Sequence, residues 1–134
     1  MFTAVGRTVL LVKDQDEALA FYRDVLGFTV LHDQVADGYR FLHIGLPGRT
    51  DGGLWLMPAS GEDLARVGAQ TGGQPLLVLY TGDLAAVRER LAEAGVEMWA
   101  EQRDAGGASL HFRDLYGNVI IAAQLDPAGS DPRG

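Results

Sequence analysis

The stretch that decides the fold is "VLLVKDQDEALAFYRDVLGF", residues 9–28. Its first residues belong to a short run, Thr8–Val12, that is apolar and contains β-branched residues. Such a run, bounded by polar residues, predicts a buried β-strand. The residues after this strand decide whether the chain turns back as a hairpin or crosses over as a helix.

The second part of the stretch has the features of a capped helix. Asp14 stands at the N-cap position and Glu17 comes three residues later, as in a capping box. Apolar residues then recur at helical spacing, and Gly27 stands where a left-handed C-cap belongs. We therefore predict a strand, a helix and then a second strand at "FTVLHD", residues 28–33.

The remainder of the first half reads as a hairpin and a linker. "YRFLHIGL" (39–46) and "GLWLMP" (53–58) predict two strands around a loop rich in turn residues. "SGEDLARVGAQTGGQ" (60–74) predicts a short capped helix inside a glycine-flanked linker.

The same order of elements then starts again. Residues 75–81 predict a strand, and residues 82–95 predict a helix with Asp83 near its start and Gly95 past its end. A third strand and a final hairpin come next, in segments 96–102, 108–114 and 118–125. The repeat predicts an α+β fold of two paired βαβββ modules, which form a curved mixed sheet with helices outside and a concave ligand cavity.

The predicted domain organisation follows from this repeat. Residues 1–125 are interpreted as one domain, with module one at about 5–58, a linker at about 59–73 and module two at about 74–125. The remaining segment, 126–134, is rich in Pro, Gly and Asp, and we predict a disordered tail there.

Composition narrows the class of protein. The 134 residues are 47% hydrophobic, which predicts a folded globule with a real core. Neither a signal peptide nor a transmembrane run is evident, and there is no cysteine, so we expect a cytoplasmic protein without membrane association. The net charge of −7 and the scattered basic residues argue against nucleic acid binding.

Three motifs together resemble one family. The stretch 9–28, "LYTGDLAAVRERLAEAGV" (79–96) and "FRDLYGN" (112–118) resemble the vicinal oxygen chelate superfamily, which includes glyoxalase I, extradiol dioxygenases and bleomycin resistance proteins. The resemblance covers residues 5–125. It implies paired βαβββ modules, commonly in a homodimer that completes two ligand cavities.

The resemblance also implies where metal ligands would lie. The metal enzymes of this family take ligands from the start of the first strand, the start of the fifth strand and the last strand, which correspond here to Arg7, Leu76 and Ile121. A divalent cation prefers carboxylate or imidazole, and these three side chains offer neither. The chain therefore resembles the metal-free branch, for which no cofactor is expected.

Aromatic, histidine and arginine side chains supply the candidate ligand-binding residues. Large polarisable rings stack planar ligands, and an arginine at a cavity mouth grips a carboxylate or phenolate. Alternation along a strand places Tyr39, Phe41 and His43 on one face, and Tyr80 on the face of the family's second ligand position. The candidate ligand-binding residues are Arg7, Tyr39, Phe41, His43, Trp55, Tyr80, Trp99 and His111.

Two functions of different classes fit these features. The first is non-catalytic binding of an aromatic or hydrophobic small molecule, in the manner of antibiotic sequestration by bleomycin resistance proteins. The alternative is a glyoxalase-like lyase, isomerase or cyclase in the same cavity, either metal-free or with non-standard metal ligands. In that enzyme His43 or His111 would act as the base. A third interpretation is a structural or regulatory module whose cavity is filled by its own side chains.

Overall fold

The computed structural model describes residues 1–126. Contacts divide the chain into two compact units, Met1–Gly68 and Ala69–Gly134. The division falls inside the predicted linker. The tail expected at residues 126–134 lies outside the described residues from position 127 onward.

The first unit contains one four-stranded sheet, one α-helix and a 3₁₀ turn. The sheet has the order β1-β4-β3-β2, with β1 parallel to β4 and the other neighbours antiparallel. Its elements are β1 (Arg7–Val12), α1 (Gln15–Asp24), β2 (Thr29–Ala36), β3 (Tyr39–Gly45), β4 (Gly53–Pro58) and the 3₁₀ turn (Gly61–Arg66).

The second unit repeats this plan. Its four-stranded sheet has the order β5-β8-β7-β6, again with one parallel pair, β5 and β8. Its elements are β5 (Pro75–Tyr80), α2 (Leu84–Glu93), β6 (Met98–Asp104), β7 (Gly107–Arg113) and β8 (Val119–Leu125). The predicted α+β class and the repeated βαβββ module are confirmed, and within residues 1–126 each unit forms its own mixed sheet.

The predicted helix caps are confirmed. The Asp14 carboxylate accepts a hydrogen bond from the Glu17 backbone N–H at 2.8 Å, and the Asp83 carboxylate does the same for Ala86 at 3.1 Å. Gly27 follows α1 with φ +81°, a conformation that costs little without a Cβ. Both helices have ten residues, and no helix within residues 1–126 is long and apolar enough to cross a membrane.

The linker helix differs from the prediction. Residues Gly61–Arg66 form a 3₁₀ helix, and the Ser60 side chain makes no capping hydrogen bond. None of its residues is buried, so no apolar face packs this segment against a sheet. A short segment without tertiary packing does not sustain an α-helix.

The core of the first unit lies between α1 and one face of its sheet. Alternate side chains of β1, β3 and β4 point toward the helix and lose nearly all their exposure. This buried set is Leu10, Val12, Ala18, Leu19, Tyr22, Phe28, Leu42, Ile44, Leu54 and Leu56. The intervening side chains project from the opposite side of the sheet, which we call the open face.

The turn between β7 and β8 is held by one carboxylate. Asp114 Oδ1 accepts hydrogen bonds from the backbone N–H groups of Tyr116 and Asn118, both at 2.9 Å, and Oδ2 accepts one from Asn118 Nδ2 at 2.9 Å. Gly117 has φ +94°, a conformation that glycine adopts at little cost. Asn118 does not have a positive φ, and its side chain donates a hydrogen bond to the Asp114 carboxylate.

Replacing Asp114 tests the importance of this turn. We expect Asp114→Ala to lower the free energy of unfolding by roughly 2–4 kcal/mol, because several buried donors lose a charged acceptor. Urea unfolding followed by circular dichroism measures the change. The matched control is Asp104→Ala, because this exposed carboxylate accepts one hydrogen bond, from the Gly106 N–H. Equal losses in both variants would contradict the assignment.

Candidate ligand-binding face

A transverse row of side chains crosses the open face of the first unit. His32 on β2 pairs in register with His43 on β3, which pairs with Trp55 on β4. Trp55 in turn pairs with Val9 on β1. Register partners in a sheet carry their side chains on the same face. The row therefore places two imidazoles, an indole and a valine side by side.

The ring side chains of this face form one continuous cluster. Ring centroids lie 4.7 Å apart for Tyr39 and Phe41, 5.9 Å for Phe41 and Trp55, 5.6 Å for His43 and Trp55, and 5.2 Å for His32 and His43. These separations are those of interacting aromatic pairs. All five side chains are half-buried. We call these five residues the ring cluster.

Arg7 lies beside this cluster and orients His43. Its Nε donates a hydrogen bond to His43 Nδ1 at 3.2 Å, and its Nη1 donates to the carbonyls of Gly6 at 2.6 Å and Thr50 at 3.0 Å. An arginine has no lone pair to offer, so Nδ1 is the acceptor of this bond. In the neutral imidazole the hydrogen is therefore on Nε2.

The surroundings of His43 favour its neutral form. Burial lowers the pKa of His43, and the charge of Arg7 and the neighbouring His32 lower it further. A guanidinium next to an imidazolium is a like-charge pair, which disfavours protonation. At neutral pH His43 is thus a hydrogen-bond donor through Nε2.

Two donors on this face have no partner. His43 Nε2 and Trp55 Nε1 are shielded from solvent, and neither makes a hydrogen bond to any atom of the described part of the chain. A buried N–H without an acceptor loses its hydration without compensation. The two residues are register partners, so the two donors belong to adjacent rings.

The second unit carries a related row on its own open face. Trp99 on β6 pairs with His111 on β7, which pairs with Ile121 on β8, which pairs with Val78 on β5. The centroids of Trp99 and His111 are 5.6 Å apart. His43 and His111 thus hold the same central place in the two modules.

The indole of the second unit is already covered on one side. The guanidinium carbon of Arg113 lies 4.7 Å from the Trp99 ring centroid, and Arg113 Nε pairs with Glu97 at 2.7 Å. A cation over the ring occupies a surface that a stacked ligand would need. Tyr80, on the same sheet, is 57% exposed and pairs in register with Ala123.

The residues at the implied metal positions do not fit a metal. Arg7 is a cation that donates to His43 and to carbonyls, while Leu76 and Ile121 present only hydrocarbon. Within residues 1–126, no three His, Asp or Glu side chains come together in a way that could hold a metal ion. We therefore derive no chemistry from a metal.

His32 was not among the predicted site residues. The structure places its ring against His43, through a hairpin whose turn is Asp37 and Gly38, both with positive φ. Asp-Gly is a strong signal for a two-residue turn. Counting outward from it would have paired residue 36 with 39 and residue 32 with 43, which is the register observed.

Comparison with known proteins gives a family match. The model of the Glyoxalase/Bleomycin resistance protein/Dioxygenase superfamily matches residues 4–121. An uncharacterized protein of Shewanella frigidimarina is 31% identical over 131 residues, which cover 94% of this chain and 96% of that protein.

Two solved structures are similar over nearly the whole chain. TnmS3, an antibiotic binding protein from Streptomyces sp. CB03234, has a TM-score of 0.77 and 29% identity, covering 93% of this chain and 98% of its own. UcmS2 has a TM-score of 0.78 and 27% identity, covering 92% and 98%.

The lowered pKa of His43 predicts a pH dependence of stability. The unfolded chain takes up a proton near the ordinary pKa of 6.5, and the folded protein takes it up only at lower pH. The free energy of unfolding should therefore decrease as pH falls from that value through the folded pKa. Urea unfolding between about pH 5 and pH 7.5 measures this slope.

Replacing the imidazole tests the origin of that slope. His43→Gln should flatten the pH dependence in this window, while His111→Gln, at the equivalent place in the second unit, should retain it. An unchanged slope in His43→Gln would show that another group is responsible.

Proposed function

Because the chain belongs to the glyoxalase, bleomycin resistance protein and dioxygenase superfamily, we propose that it binds a planar aromatic small molecule against the ring cluster without converting it. In this proposal the physiological ligand is a natural-product antibiotic, and binding sequesters it. Bleomycin-like compounds are one candidate class. The ring cluster is the observation that carries the proposal.

The geometry of the ring cluster supports this function. Its side chains are in contact from β2 across β3 to β4, remain half-buried, and lie on the sheet face opposite α1. Aromatic walls with a few polar groups are typical of small-molecule sites, because rigid rings gain contact area at little entropic cost. Stacking and burial would supply the affinity, and Arg7 would act by fixing His43.

One of the similar structures supports an antibiotic as the ligand. TnmS3 is an antibiotic binding protein, and its likeness to this chain extends over both modules.

Binding without chemistry also agrees with the residues at the implied metal positions, so we propose that no divalent metal takes part. Elemental mass spectrometry of the purified protein after dialysis against Zn²⁺, Ni²⁺, Mn²⁺ and Fe²⁺ should find well below one equivalent per chain.

The alternative is a lyase, isomerase or cyclase with a histidine base. The lowered pKa of His43 favours a neutral imidazole, which a base requires. However, Arg7 occupies Nδ1 and so leaves the hydrogen on Nε2, which then donates rather than accepts. Binding is therefore the better-supported function. A turnover lost in His43→Gln would favour the enzyme.

The last part of the proposal concerns the oligomeric state of the protein and its location in the cell. We propose a cytoplasmic homodimer, in which a second copy covers the exposed apolar side chains Val78 and Tyr80. Light scattering after size-exclusion chromatography should give twice the chain mass of 14.4 kDa. A Tyr80→Glu variant should shift the protein toward the monomer, since a buried charge disfavours association. A wild-type monomer at all concentrations would contradict this arrangement.

Replacing a ring of the cluster tests the binding function. We expect 2-isopropenylnaphthalene, a planar hydrocarbon, to bind the wild type and to bind Phe41→Ala about tenfold more weakly, because one aromatic contact is lost. Isothermal titration calorimetry measures both affinities. The control is Val35→Ala, an exposed position on β2 that pairs with Arg40 outside the ring cluster. Absence of binding by the wild type to any planar aromatic probe would refute the proposed function.

A further inference from the structure

We propose that the ligand carries an acceptor oxygen conjugated to its aromatic ring, and that Trp55 Nε1–H and His43 Nε2–H hold this oxygen. The ligand class is thus an aryl ketone, quinone or aryl ester rather than a plain hydrocarbon or an amine. This inference rests on the proposed function, because it concerns the polarity of the molecule that the ring cluster binds.

The unpartnered donors carry this inference. Trp55 Nε1 and His43 Nε2 are both shielded from solvent, and neither meets an acceptor among residues 1–126. A buried N–H group that lacks an acceptor is unfavourable by a free energy comparable to a lost hydrogen bond. An acceptor oxygen brought by the ligand would remove this deficit, so the ligand gains more from the bond than it would at a satisfied site.

Both nitrogens act as hydrogen-bond donors and not as acceptors. An indole nitrogen only donates. His43 donates through Nε2 because Arg7 Nε holds Nδ1 as an acceptor at 3.2 Å, and the pKa of this imidazole is lowered. Both groups therefore require an acceptor and have nothing to offer to an N–H or an ammonium.

The positive charge of Arg7 also favours an acceptor oxygen over a cationic group. Arg7 donates to His43, so a positive charge lies next to the paired rings. A cationic ligand would meet this charge in a poorly solvated place, and repulsion would weaken its binding. A neutral carbonyl or a phenolate oxygen carries negative charge density and would be stabilised there.

The second unit provides an internal comparison. Trp99 also pairs with a histidine, His111, but the Arg113 guanidinium covers its ring. His111 Nδ1 is also shielded and has no partner among residues 1–126, but no described hydrogen bond fixes the tautomer of His111 as Arg7 does for His43. The pair of oriented donors therefore belongs to the first unit, and Trp99 serves as the matched control for Trp55.

A pair of isosteric ligands tests the inference on the wild-type protein. 2-Acetylnaphthalene and 2-isopropenylnaphthalene have the same planar outline and differ in one atom group, C=O against C=CH₂. If the site had no unpartnered donor, the hydrocarbon would bind at least as tightly as the ketone, since the ketone must lose its hydration. We expect the ketone to bind about tenfold more tightly by calorimetry, the gain from one well-made hydrogen bond to a buried donor.

Two variants assign the preference to its donors. Trp55→Phe keeps an aromatic ring and removes the N–H, so the ketone preference should fall severalfold while the hydrocarbon still binds. Trp99→Phe should keep the full preference. In ¹⁵N-labelled Trp99→Phe a single indole N–H remains, and its proton resonance should move downfield with the ketone relative to the hydrocarbon complex. This second measurement does not depend on the folding of Trp55→Phe.

The outcomes separate the inference from the function beneath it. If neither naphthalene binds, the proposed function fails. If both bind with equal affinity, the ring cluster binds aromatics and the donor pair plays no part, which overturns the inference alone. If the ketone preference persists in Trp55→Phe and the indole resonance does not respond, a different donor is responsible and the assignment is wrong.

Discussion

A single helix covers only one face of a four-stranded sheet, and this constraint shapes each unit of the protein. In the first unit the ten-residue α1 covers the side that carries Leu42, Ile44 and Leu56, which are fully buried. Because side chains alternate along a strand, every buried residue has neighbours that point to the uncovered side. On β3 and β4 those neighbours include Phe41, His43 and Trp55, three rings of the cluster. The packing that stabilises the fold thus produces the face that can hold a ligand.

Arginine at position 7 changes what this face can do. The resemblance places a metal ligand at this strand start, where an imidazole or carboxylate would attract a cation. A guanidinium there repels one, and its hydrogen bond to Nδ1 turns His43 from a possible metal ligand or base into an oriented donor. In our proposal, this one residue makes the face a site for acceptor oxygens rather than for cations. The same charge helps to lower the pKa of His43, which keeps the imidazole neutral.

Local features of the sequence predict much of this arrangement, and long-range ones do not. The caps at Asp14 and Asp83, and the alternation that aligns Tyr39, Phe41 and His43, are set by neighbouring residues. The turn at Asp37 and Gly38 fixes the β2–β3 register in the same local way. His43 and Trp55 lie on strands joined by a longer loop, which does not fix their register from the local sequence. Tertiary packing sets this pairing instead. The stacking of Arg113 on Trp99 accompanies a register shift after Trp99 and a positive φ at Ala100, for which the sequence carries no glycine signal.

A histidine lies at the same place in both modules, but the tryptophan lies on a different strand in each. This difference explains why the two faces are not equivalent. Trp55 lies on β4, an interior strand with neighbours on both sides; its side chain is half-buried and its N–H is shielded. Trp99 lies on β6, an edge strand with one neighbour, where the ring remains open to the side chain of Arg113. The interior indole therefore offers a shielded N–H without a partner, whereas the ring face of the edge indole is covered by a cation. Repetition of one sheet plan therefore gives two different faces: the first is the one that we propose for polar recognition of an aromatic ligand, and the second has an indole ring covered by Arg113.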